Sequence, residues 1–150
     1  MLKRIFLLIC FFTLFSGCSN KDFENKKILL DESFYGQGDF IDIKNEDLGN
    51  VSNKNYILFV YNNFCSLPIP CQDIFKEYMQ KYKISFLSIN IDEYKKTIFY
   101  EKVKYAPTIL IISNGKIIKY LDAESNADLN KYQDIREFES WINNYILIKK

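Results

Sequence analysis

Hydrophobic and polar positions along this chain follow two different periods, and the switches between them mark its elements. "YILFVY" (Tyr56–Tyr61) is a continuous apolar and aromatic run, the pattern of a strand buried on both faces. From Cys71 onward the period lengthens. Ile74, Phe75, Tyr78, Met79 and Tyr82 form one stripe, with Gln72, Asp73, Lys76, Glu77, Gln80 and Lys81 opposite, which predicts an amphipathic helix. "ISFLSINI" (Ile84–Ile91) predicts a second central strand, and "DEYKKTIFYEKV" (Asp92–Val103) a short helix. "PTILIIS" and "KIIKYL" flank Asn114-Gly115, the dipeptide suited to a tight type I′ hairpin turn. A last helix is predicted from Asp134, with Glu137 as its capping-box partner and Phe138, Trp141, Ile142 and Tyr145 on its buried side.

Weaker signals fill the gaps. "FIDI" (Phe40–Ile43) reads as a short strand, and "KNEDLGNVSNKN" as a polar connection with room for a helical turn. "DAESNADLNKYQ" reads as a polar loop, and the terminal "YILIKK" as a helix end followed by a solvated tail. Strands alternating with helices, then a hairpin and a final helix, predict an α/β fold with a mixed β-sheet flanked by helices on both faces.

The first eighteen residues, "MLKRIFLLICFFTLFSGC", follow another logic. A basic start (Lys3, Arg4) precedes an apolar run from Ile5 to Phe15. That run is roughly half the ~20 residues a membrane-spanning helix needs, so it reads as the core of a signal peptide. Ser16 and Gly17 directly before Cys18 resemble a bacterial lipoprotein signal, with Phe15 standing where leucine is usual. The resemblance implies that residues 1–17 are removed and that Cys18 becomes a lipidated (palmitate-type) N-terminus. The polar stretch that follows reads as a tether, residues 18–33, with the domain at 34–150. The expected location is the cell envelope, lipid-anchored to a bacterial membrane, with the domain outside the cytoplasm.

This reading sorts the four cysteines. Cys10 leaves with the signal and Cys18 carries lipid. Cys65 and Cys71 remain, an even number in a compartment where disulfides persist. With 150 residues, 48% of them hydrophobic, the chain can bury one sizeable core. Its 20 basic and 19 acidic residues nearly balance, so charge offers no case for a nucleic-acid partner. The chain holds no histidine, which excludes imidazole metal sites, Ser-His-Asp triads and Cys-His nucleophile pairs. Two thiolates alone make a poor zinc site, and no metal or cofactor is implied.

Three stretches in order resemble the thioredoxin family: "NNFC" at the end of an apolar strand, "SINID" closing the next strand, and "YAPTILIISNGKIIKYL". The resemblance covers roughly Phe40 to Ile146 and implies a thioredoxin-like fold. It further implies that Pro107 follows a cis peptide bond. The Ala106–Pro107–Thr108 segment would then lie beside the cysteines as an open backbone edge for an extended substrate. In the family the active cysteines stand two residues apart, whereas Cys65 and Cys71 enclose five. On a continuous helix, six steps of ~100° would leave the sulfurs about 120° apart, so pairing requires "SLPIP" to be a loop. Pro68 and Pro70 favour that, with Pro70 suited to the first helical position. The buried carboxylate usual six positions before the first cysteine is here Phe59, and the lysine that often accompanies it corresponds to Ser88. Asp73, in the first turn after Cys71, opposes a thiolate there.

The function expected from these features is a membrane-tethered thiol–disulfide oxidoreductase, with Cys65 as attacking and Cys71 as resolving thiol. Its partners would be exported thiol- or disulfide-containing proteins or a membrane redox partner. The alternative is a non-catalytic thioredoxin-like accessory lipoprotein in which a Cys65–Cys71 bond only staples the loop.

Overall fold

The computed structural model describes residues 27–63 and 68–149. Five strands form the central sheet: β2 (Phe40–Asp42), β3 (Asn55–Tyr61), β4 (Phe86–Asn90), β5 (Thr108–Ser113) and β6 (Lys116–Tyr120). They lie in the order β2-β4-β3-β5-β6. β4 pairs in parallel with both β2 and β3, while β3–β5 and β5–β6 are antiparallel. A second, two-stranded sheet joins β1 (Ile28–Leu29) in parallel to β7 (Ile146–Leu147). The helices are α1 (Cys71–Tyr82), α2 (Ile91–Tyr94) and α3 (Ile135–Ile142).

The apolar run of β3 is buried on both faces, as its pattern predicts, and its alternate residues serve two cores. Ile57 and Phe59 join Phe75, Tyr78 and Met79 of α1 and Phe138 and Ile142 of α3. Tyr56, Leu58 and Val60 face the other way, toward Tyr94, Phe99 and Val103. Ile109 and Ile111 of β5 belong to the first core, and Leu110 and Ile112 to the second. Helical structure therefore covers both faces of a mixed sheet. Asn114 and Gly115 both take positive φ, 49° and 72°, as a type I′ turn requires. Gly38, also at positive φ, passes so close to α1 that a Cβ there would stand 2.8 Å from the carbonyl oxygen of Met79.

Four expectations need correction. Residues 28–33, read as tether, are built into the domain. Ile28 donates from its N–H to Tyr145 O, Leu30 is buried, and Asp31 N–H donates to Asn55 O. The terminal "YILIKK" is no free tail, since Ile146 is buried and pairs with Ile28. The helix predicted over Asp92–Val103 breaks after Tyr94 and resumes as a 3-10 turn at Ile98–Glu101. Tyr94 and Phe99 both reach the same core, yet on a continuous helix they would point about 140° apart. The polar loop after β6 holds a further 3-10 turn, Leu129–Tyr132, and buries Tyr132.

Asp134 is the N-cap of α3, accepting from Arg136 N–H at 2.8 Å and pairing with the Arg136 guanidinium at 2.9 Å. These bonds hold its carboxyl at about 2, below its ordinary 3.8. A group with a depressed folded-state pKa contributes stability above its unfolded value and loses it as pH falls through the folded value. Asp134→Asn is therefore expected to be less stable than the parent near neutrality, with the difference fading between about pH 4 and pH 2. Urea midpoints of the two proteins across that range test this, and a difference independent of pH would refute it.

Candidate functional site

The sheet register brings the end of β3 beside the start of β5, with Val60 opposite Thr108. Beyond β3, Asn62 donates from Nδ2 to the carbonyl oxygen of Ala106 at 3.1 Å. The Ala106–Pro107 peptide bond is cis, as the resemblance implied. On the other side α1 begins at Cys71, with Pro70 as its N-cap rather than its first helical residue. Pro68 to Pro70 precede the helix as a loop, in keeping with two prolines that cannot donate a backbone N–H.

These segments enclose a cleft of about 420 Å³ lined by Phe59, Tyr61, Asn62, Asn63, Pro70, Cys71, Gln72 and Pro107. Cys71 is 3% exposed and belongs to the α1-side core. Of the residues expected to act, Cys71 and Pro107 share this cleft. Cys65 and Cys18 lie outside the described residues. Thr108 is fully buried, and its hydroxyl donates to the carbonyl of Leu121. Its side chain thus serves the fold, and a partner at this edge would meet the backbone around Ala106 and Pro107.

The cleft's inner wall is aromatic where the family usually has an acid. Phe59 packs with ring centroids 5.2 Å from Phe40 and 5.3 Å from Phe75. No carboxylate stands among the described residues lining the cleft. In register across the sheet, Phe59 faces Ser88, and Ser88 faces Asp42. The Ser88 hydroxyl donates to the Asp42 carboxylate, so the acid on this side of the sheet sits out on edge strand β2. Burial, with the Asp42 charge second, raises the Tyr61 phenol. Among the described residues no group of three or more His, Cys, Asp or Glu is placed to hold a metal.

Two residues absent from the sequence-level site stand at its border. Tyr132 donates from its hydroxyl to the carbonyl oxygen of Pro107 at 3.1 Å, and its ring lies 6.0 Å from Phe75. Burial raises its phenol strongly, outweighing a hydrogen bond with Thr108 that lowers it, so Tyr132 stays protonated and acts as a donor. Gln133 Nε2 donates to Ile69 O at 2.8 Å, and Ile69 N–H donates back to Gln133 Oε1 at 3.3 Å. The one advance signal was an aromatic residue in an otherwise polar stretch. Nothing local marks Gln133.

A family model for thioredoxin matches residues 44–135, more than half of the chain and the whole of this cleft. The chain belongs to the thioredoxin family. Among solved structures, Schistosoma mansoni thioredoxin is similar at 24% identity and a TM-score of 0.52, covering 74% of this chain and all (100%) of that one. A mutant thioredoxin from Halobacterium salinarum NRC-1 is similar at 13% identity and a TM-score of 0.52, covering 77% of this chain and 97% of that one. Likeness at these identities carries the fold. None of the curated proteins compared matches the chain. A thioredoxin domain points to thiol–disulfide oxidoreductase-type chemistry on disulfide-containing substrates or reductases. In this chain the Ala106 carbonyl is already bonded to Asn62, and buried Phe59 stands where the family usually has an acid.

Proposed function

We propose that this member of the thioredoxin family is a membrane-tethered thiol–disulfide oxidoreductase of the bacterial envelope, working on exported proteins through Cys65 and Cys71. The observation that carries the reading is the meeting of Cys71 and Pro107 in one open cleft at the end of the sheet. The leader and Cys18 supply the tether and the location.

In the reductive direction the Cys65 thiolate attacks one sulfur of a substrate disulfide. That S–S bond breaks, a mixed disulfide forms on Cys65, and one substrate thiolate leaves and takes up a proton. Cys71, deprotonated, then attacks the Cys65 sulfur and releases the second substrate thiolate. Two electrons have passed to the substrate and the pair ends as a disulfide. The oxidative direction is the reverse, and the potential of the pair relative to its partners selects between them. With Phe59 in the wall, proton transfer to and from Cys71 falls to water rather than to a fixed acid, so exchange should be slower than an assisted pair allows.

The test is a redox titration of the full chain in detergent against reduced and oxidised glutathione. Thiols are trapped by alkylation, with Cys65 and Cys71 read separately by peptide mass. A reversible couple above about −300 mV, with Cys65 modified first, is the expected result. A pair that resists reduction until the protein unfolds would make the bond a staple and the domain an accessory binding module.

A further inference from the structure

Of the three described residues that lead into Cys71, Pro68, Ile69 and Pro70, only Ile69 carries a backbone N–H, because proline has none. The N-cap of α1 is itself a proline and makes no side-chain capping bond. This stretch therefore has few means of bracing itself. Gln133 braces it from outside: its amide meets both backbone groups of Ile69, as an adjacent strand would.

The brace has a firm footing. Gln133 Nε2 also donates to Tyr132 O at 2.9 Å. Tyr132 before it is buried and bonded to Pro107. Asp134 after it caps α3. One short segment thus grips both the stretch before Cys71 and the Pro107 segment.

We propose that Gln133 is a positioning residue for the dithiol: by holding Ile69 in the stretch just before Cys71, it favours disulfide formation between Cys65 and Cys71. The inference rests on reading that pair as an exchanging couple. Joining Cys65 to Cys71 restricts the five residues between them, and a restriction already imposed in the dithiol form lowers the entropic cost of the bond. The equilibrium concerned is protein dithiol plus oxidised glutathione giving protein disulfide plus two reduced glutathiones. Gln133 shifts it toward the disulfide and makes the pair more reducing.

Gln133→Ala and Gln133→Glu, in the full chain in detergent, are titrated beside the parent with reduced and oxidised glutathione. Two hydrogen bonds of ordinary net strength set the scale. Gln133→Ala is expected to lower the equilibrium constant about five- to tenfold, a rise of roughly 20–30 mV in potential. Gln133→Glu keeps an acceptor for Ile69 N–H but turns a carboxylate oxygen toward the Ile69 carbonyl, so near pH 7 it should shift the potential in the same direction. Potentials equal to the parent's in both variants would overturn the inference and leave the oxidoreductase reading standing. So would a lowered urea midpoint with an unchanged potential, which marks a merely structural contact. A parent pair that does not exchange with glutathione overturns both.

Discussion

A Cys71→Ser variant is expected to accumulate as a mixed disulfide between Cys65 and its substrate, whereas Cys65→Ser captures nothing. In the proposed mechanism Cys65 is the attacking thiol and Cys71 the resolving one. Cys71 is buried at the first residue of α1, where a protein substrate cannot easily reach it. Removing the buried thiol leaves the first displacement intact and abolishes the second, so the covalent intermediate persists. Serine at position 71 is close in size to cysteine, and the fold should survive. With insulin as the probe, both variants should lose turnover to background, and only Cys71→Ser should yield an adduct that thiol reductant releases. Adduct formation by Cys65→Ser, or undiminished insulin reduction by either variant, would sink the assignment of the two roles.

Phe138→Ala is expected to remove about 3–5 kcal/mol of stability, the range for losing a fully buried aromatic side chain. Phe138 is completely buried. Its ring centroid lies 4.7 Å from Phe75, 5.3 Å from Tyr78 and 5.9 Å from Trp141. It joins α3 to α1 over the sheet, and neighbours held by helix and sheet backbones cannot close in on the cavity. A domain of this size has a total stability of roughly 5–15 kcal/mol, so the variant should be near its unfolding threshold at 37 °C. Urea unfolding followed by tryptophan fluorescence measures this through Trp141, and a loss below about 1 kcal/mol would mean that the site relaxes. Because Phe75 also touches Phe59 in the cleft wall and Tyr132 at its border, the same substitution should loosen the cleft.

The departures from a standard thioredoxin site bear on chemistry more than on fold. Phe59 packs against Phe40 and Phe75 where an acid is usual, and no carboxylate stands among the described residues that line the cleft. The carboxylate at that level of the sheet, Asp42, is bonded to Ser88 on the far side of β4. Asn62 holds the Ala106 carbonyl at 3.1 Å, and an extended partner at this edge must displace it or bind beside it.

Much of this architecture was legible in the chain because its determinants are local. The apolar run of β3, the helical stripe of α1 and the Asn114-Gly115 turn each carry their own periodicity or dihedral preference. The motif order around Pro107 marked the family and its cis bond. Tertiary structure alone decided the rest. Ile28 pairs with Ile146 across nearly the whole domain, and neither dipeptide announces a strand by itself. Tyr94 and Phe99 share a core only because the chain breaks between them. Tyr132 and Gln133 sit in a stretch that reads as solvated loop, yet they hold Pro107 and Ile69. Hydrophobic periodicity records which face of an element is buried. A side-chain amide bonded to a distant backbone leaves no periodic trace, because its partner is chosen only when the chain has folded.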